Sequence, residues 1–218
     1  MKAFENFDWD AFWHDDSNSD KLIYFNGGVL KEQDVKRVED KFGYKLPDSY
    51  IELLSIQNGG APFYSLFYYE EDEEFVPVYL TAIYGVDSKL EYSICGNSGA
   101  KMICKEWGYP NIGLPIALTA SDGNEVIFLD YSECGTNGEP KVVLVDQTND
   151  YKKTLLAENF ENFIKGLRKC ITIITIDEFK SLGEDEQVFF IDRLNDEFEI
   201  KRVIEYLNAM GIENLNSR

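Results

Sequence analysis

The chain contains a single histidine, His14, flanked by Trp13 and Asp15 in an aromatic N-terminal stretch. A Ser-His-Asp or Cys-His catalytic system would depend on that one imidazole, and nothing around it resembles a triad partner set. Glycine-based fingerprints are missing as well. There is no G-x-S-x-G elbow, no phosphate-cradling G-x-x-x-x-G-K-[ST] loop and no G-x-G-x-x-G turn after a strand. Cysteine is sparse: Cys95, Cys104, Cys134 and Cys170 share no two-residue gap of the kind a zinc knuckle or redox pair uses. Buried free thiols in a reducing compartment are the expectation. Long apolar runs are lacking too. The longest, residues 170–176, has seven residues with two threonines, against the ~20 that a membrane span needs. Residues 1–10 hold one lysine and three acids with no apolar stretch, so a cytoplasmic protein is expected.

Positive charge is the scarcest commodity. Lysine and arginine number 21 against 40 acids, a formal charge of −19 and a pI near 4.4. Such a field repels phosphate backbones and anionic membrane surfaces, which argues against direct nucleic-acid or membrane binding. The same field draws in basic proteins and speeds their encounter. Two partial motifs fail on inspection. Asp16, Asn18 and Asp20 have the opening spacing of a calcium loop, but Lys21 stands where the glycine should be and Gly27 where the closing glutamate should be. Ser98 and Lys101 make an S-x-x-K pair without the accompanying K-T-G. No metal site, cofactor or catalytic residue is therefore assigned, and the chain reads as a binding protein rather than an enzyme.

What the chain does have is core material: 44% of residues are hydrophobic and 14% aromatic. Trp9, Phe12 and Trp13 are expected to pin the N-terminus to the core. Val35, Val38 and Phe42 at helical steps predict a helix over 31–42, stopped by Gly43. A second helix is predicted over 48–57, with Pro47 at its entrance and Ser49 and Glu52 at capping-box spacing. Asn58-Gly59-Gly60 ends it. Strands are predicted over 63–69, 75–86, 112–118, 125–131 and 141–146, with Pro77 arguing that the second starts late or lies at an edge. A short helix is read over 98–107. Short turns between the strands favour an antiparallel meander. Phe160, Phe163, Ile164 and Leu167 predict a helix over 155–169. A β-branched run over 171–176 reads as a strand or connector, and an acidic helical stretch follows from 177.

Two features point to binding. Glu70, Glu71, Asp72, Glu73 and Glu74 are five adjacent carboxylates that cannot be buried together. They predict an exposed turn that can dock on the basic groups of a partner, with Asp15, Asp16 and Asp20 as a second acidic patch. The aromatic strand Phe63, Tyr64, Phe67, Tyr68 and Tyr69 sends side chains to both faces of a sheet. Tyr68 is the residue singled out there as a contact.

The ordered set of local motifs resembles the SUKH superfamily, in the branch related to the yeast cell-wall assembly (glucan synthesis) regulators. The resemblance spans about residues 5–170. It rests on Phe12-Trp13, Phe42-Gly43, Leu46-Pro47, Tyr50, Leu53-Leu54, Asn58-Gly59-Gly60, Gly113-Leu114-Pro115-Ile116-Ala117, Asp122-Gly123-Asn124, Leu129-Asp130-Tyr131, Gly138-Glu139-Pro140 and the helix around Phe160 and Phe163. It implies an α+β fold: a twisted antiparallel sheet of about five to six strands flanked by helices. It also implies an immunity protein that binds and neutralises a basic toxin domain, often a nuclease, of a polymorphic or contact-dependent toxin system. A regulatory scaffold of the cell-wall-regulator type is the alternative. The recurring residues Trp13, Leu46, Pro47, Tyr50, Asn58, Gly59, Gly60, Asp122, Gly123, Asn124, Asp130 and Tyr131 are implied to be structural. The expected organisation is a SUKH-like domain over 1–170 with an acidic helical extension, 171–218, packed on it.

Overall fold

The computed structural model describes residues 3–5, 7–13, 25–72 and 74–169. Two compact units divide the chain, Met1–Leu167 and Arg168–Arg218. The expectations for His14, Asp15, Asp16, Asp20, Glu73, Cys170 and the extension 171–218 lie outside the described residues.

Six strands form one sheet in the order β1-β2-β3-β4-β5-β6: β1 Leu66–Glu71, β2 Glu74–Ile83, β3 Gly113–Thr119, β4 Glu125–Asp130, β5 Lys141–Asp146 and β6 Lys152–Ala157. Every pairing is antiparallel and joins strands adjacent in sequence, so the sheet is a simple meander. With the helices this is the expected α+β fold. Residues 126–130 of β4 and 142–145 of β5 are buried without a break. Successive side chains point to opposite faces, so the sheet's centre is covered on both sides. That explains why these strands read as continuous apolar runs rather than alternations.

The helices are α1 Trp9–Phe12, α2 Glu32–Phe42, α3 Asp48–Ile56, α4 Ala100–Lys105 and α5 Phe160–Gly166. Gly43 ends α2 in the left-handed region at φ 77° and returns its N–H to the Glu39 carbonyl, as glycine alone does without strain. The Glu39 carboxylate accepts from the Leu46 N–H at 2.9 Å, fixing the link into α3. The expected capping box on α3 does not form. Pro47 occupies the N-cap, no side chain caps the helix, and the buried Ser49 hydroxyl has no partner among the described residues. Glu52 is drawn elsewhere: its carboxylate accepts the Ala3 N–H at 2.8 Å. The N-terminal aromatics do pin that segment. Phe12 is fully buried, packs edge-on against Trp9 and Trp13, and stacks on Tyr64.

The helix expected over 155–169 is two elements. Residues 152–157 pair with β5 as β6, and Asn159 then caps α5, its side chain accepting the Asn162 N–H at 2.8 Å. Periodicity cannot separate strand from helix in a short apolar run such as Leu155-Leu156-Ala157. The asparagine was the boundary signal. The stripe itself is real: Phe160, Phe163, Ile164 and Leu167 are buried, with Phe160 edge-on to Tyr50 of α3 and Phe163 against Phe67 of β1.

Candidate functional site

The acidic run belongs to a hairpin whose register is Leu66↔Tyr79, Phe67↔Val78, Tyr68↔Pro77, Tyr69↔Val76, Glu70↔Phe75 and Glu71↔Glu74. The turn expected to hold five acids is therefore confined to the link between Glu71 and Glu74. Glu70 and Glu71 end β1, and Glu74 begins β2. Asp72 takes φ 52°, a left-handed conformation that Asp tolerates better than most residues. Pleating separates the charges: Glu70 and Glu71 point to opposite faces. Glu71 and Glu74 stand directly opposite each other on one face, a destabilising like-charge pair. Lys152 of β6 forms an ion pair with Glu71 and offsets it.

The two faces of this arm differ. Phe67 and Val78 on the inner face are buried in the core, with Tyr69 and Val76 half-buried beyond them. The outer face carries Tyr68, Phe75, Pro77 and Tyr79 with Glu70; Phe75 is 72% exposed, Tyr79 46% and Tyr68 40%. Tyr68 was expected as a contact residue. Phe75, Pro77 and Tyr79 were missed because their shared face with Tyr68 follows only from the register. The signal was the alternation along β2, where Val76, Val78 and Leu80 turn inward.

β2 pairs with β3 only from Leu80 onward, so residues 74–78 have a strand on one side alone. The Leu80 N–H donates to the Ser65 carbonyl and the Ala120 N–H to the Tyr79 carbonyl. Alternation then aims the backbone groups of residues 75, 77 and 79 away from β1. Pro77 thus sits within a strand at an interior place in the sheet order, its missing N–H facing the open side. The expectation that it marks an edge holds for this half of β2, while the expectation of a late start does not.

A meander brings the β1–β2, β3–β4 and β5–β6 connections to one end of the sheet. Asp122, Glu125, Asp146 and Asp150 lie there with the hairpin tip. Burial, and then the facing Asp146 charge, push the Glu125 carboxyl up from its ordinary value. Burial raises the Tyr69 phenol, helped by Glu71 and Glu125. The two lysines at the start of β6 are both engaged, Lys152 with Glu71 and Lys153 with Asp130, so the field at this end stays negative.

The motif residues build the frame that holds the arm. Asn58 is fully buried; its side-chain oxygen accepts the Val86 N–H at 2.9 Å and its carbonyl accepts the Gly27 N–H at 2.8 Å. Gly59, at φ 86°, lies so close to Gly85 that a Cβ would sit 2.5 Å from the Gly85 nitrogen. Gly60 exchanges hydrogen bonds with Ile83. The turn thereby fastens the end of α3 to the end of β2. At the other end of the sheet Asp122 has φ 55°, the Gly123 carbonyl accepts the Tyr109 hydroxyl at 2.7 Å, and the Asn124 carbonyl accepts the Gln147 N–H at 2.7 Å. Tyr131 donates its hydroxyl to the Lys45 carbonyl at 2.6 Å, tying the sheet to the link that carries the buried Leu46 and Pro47. Tyr50 is fully buried and donates to the Tyr84 carbonyl at 2.5 Å. Trp13 bridges to Pro62. Burial alone would raise the Asp130 carboxyl, but hydrogen bonds from Lys153 and Ser132 outweigh it and hold the group below its usual value.

A depression along α2, lined by Gln33, Lys36, Arg37, Asp40 and Lys41, is open to solvent. Among the described residues no group of His, Cys, Asp and Glu is arranged to hold a metal ion. No helix among them is long and apolar enough to cross a membrane. Cys95 and Cys104 are half-buried and free. Cys134, expected to be buried, is exposed in the turn after β4.

The model of the SMI1/KNR4 family (SUKH-1) matches residues 30–166, from just before α2 to the end of α5. No curated protein matches the chain.

Proposed function

We propose that this chain, which belongs to the SMI1/KNR4 family (SUKH-1), is an immunity protein that binds and neutralises a basic toxin domain, with a nuclease as the best-fitting class. The family includes immunity proteins and cell-wall regulators, and its members are in general binding proteins rather than catalysts. The observation that carries the choice is the acid-lined end of the sheet. The Glu70–Glu74 hairpin end, the Asp122 turn, Glu125 and the Asp150 turn all belong to the same end of the meander, Glu125 acts on Tyr69 of the arm, and Lys152 and Lys153 are already engaged. A nuclease active site is a basic groove, since it must hold phosphates. An acidic prong is complementary to such a groove and would compete with its substrate. Long-range attraction would steer the encounter, and close packing at the contact would set the lifetime of the complex.

The test is co-expression with the toxin domain encoded beside the gene, followed by stopped-flow association. Rescue of growth is expected. Reversing Glu70, Glu71, Asp72, Glu73 and Glu74 to lysine should slow association about tenfold or more and flatten its salt dependence. Wild-type association by the reversed variant would remove the tip from the interface. Failure to rescue any neighbouring toxin would turn the assignment to the regulatory members of the family.

A further inference from the structure

Charge does not account for the outer face of the β1–β2 arm. Tyr68, Phe75, Pro77 and Tyr79 form an apolar strip in water, where each ring would gain by burial. Glu70 stands opposite Phe75 in a pair that the alternation makes non-hydrogen-bonded, the closer of the two antiparallel spacings. A ring with a carboxylate at its side suits a flat cation. A guanidinium can stack on the ring while its N–H fork bonds the carboxylate. An ammonium group is a compact, strongly hydrated point charge with no planar face to offer the ring.

The backbone disfavours the competing mode of recognition. A partner strand, or a second copy of this chain, would add along the open side of β2 at residues 74–78. Pro77 presents no N–H there, so a donor is missing in the middle of that edge. The inner face is closed by Phe67, Val78 and the Glu71–Lys152 pair. The outer face is the part of the arm left for docking, and the acids around it select a cationic occupant.

We infer that this strip is a binding patch for arginine side chains on a basic protein partner, with Phe75 and Glu70 as its centre. The inference rests on the basic partner proposed above and adds which cation is read and by which rings. The test uses full-length protein with labelled aromatic rings, titrated with nona-arginine and nona-lysine peptides at physiological salt. Nona-arginine should bind about tenfold more tightly than nona-lysine, with the ring signals of Phe75, Tyr79 and Tyr68 moving most. Phe75→Leu with Tyr79→Leu keeps an apolar strip and removes the rings; it should abolish the preference while leaving nona-lysine binding unchanged. Equal affinity for the two peptides, or a preference that survives in the double variant, would overturn the inference. So would concentration-dependent dimerisation in sedimentation that Phe75→Leu abolishes, because the strip would then be covered by a second copy. The peptides report on the strip whether or not a toxin is found, so this result stands apart from the rescue experiment.

Discussion

At Asn58–Gly60 the hydrogen bonds are directed inward: Asn58 holds Gly27 and Val86, and Gly60 holds Ile83. At the tip of the next hairpin the arrangement is reversed. Glu70, Glu74, Phe75 and Tyr79 are exposed, half of β2 lacks a second neighbour, and one exposed ion pair reaches the body of the sheet. Both segments are hydrogen-bonded turns or strands, so secondary structure does not distinguish them. What differs is how much a substitution costs the fold. The first region tolerates no added atom. The second can change its outward side chains at lower cost, because Phe75 and Tyr79 are largely exposed. Frame and solvent-facing arm are thus separated within a short length of chain.

The sharpest way to break this contrast is Gly59→Ala. The added Cβ would collide with the Gly85 backbone and impose a left-handed conformation on alanine. A loss of about 3 kcal/mol or more is expected in urea unfolding. A near-neutral result would mean that the turn is not the tight element described.

A smaller effect should come from Asp130, which belongs to the frame yet titrates. Its folded-state value lies below the ordinary one. Its contribution is therefore fully present above the unfolded value, about 3.9, and is lost as pH falls through the folded value. Glu125 has the opposite sign. Its folded value is raised, so protonation relieves it and partly masks the loss. Asp130→Asn should cost roughly 1–3 kcal/mol at neutral pH, through hydrogen bonds to Lys153 and Ser132 that weaken or break. It should also flatten the acid limb of stability against pH. An unchanged limb in denaturant titrations from neutral to acidic pH would show that other carboxylates govern it.

The smallest effect is expected on the arm. Lys152→Ala removes an exposed pair worth about 0–1 kcal/mol, leaving the melting temperature nearly unchanged. Amide exchange near Glu70 and Glu71 should nonetheless quicken, since the tip loses its only ion-pair link to β6 among the described residues. A large drop in global stability would erase the distinction drawn between frame and arm.

Much of the frame was legible in the sequence. β3, β4 and β5 stand out as apolar runs between turn residues, and Gly43 and Asn58-Gly59-Gly60 mark helix ends by glycine's backbone freedom. The run at Leu155–Ala157 was misread because its apolar residues fit strand and helix alike. Ser49 had the spacing of a capping box, yet tertiary burial placed the hydroxyl in the core and Glu52 on the N-terminal segment. At the candidate site the acids were plain and the rings only half so. Tyr68 lies in an obviously aromatic stretch. Phe75 and Tyr79 join it only once Glu71 is known to pair with Glu74, because a shift of one residue would exchange the faces of the arm.

The alternation along β2 has a consequence for how such a chain can evolve. Val76, Val78 and Leu80 are constrained by the packing beneath them, while Phe75, Pro77 and Tyr79 touch little of the frame. Every second codon can therefore change with little cost to folding, while its neighbours stay constrained by the packing. Three or four such codons could remodel this exposed face without passing through an unstable intermediate.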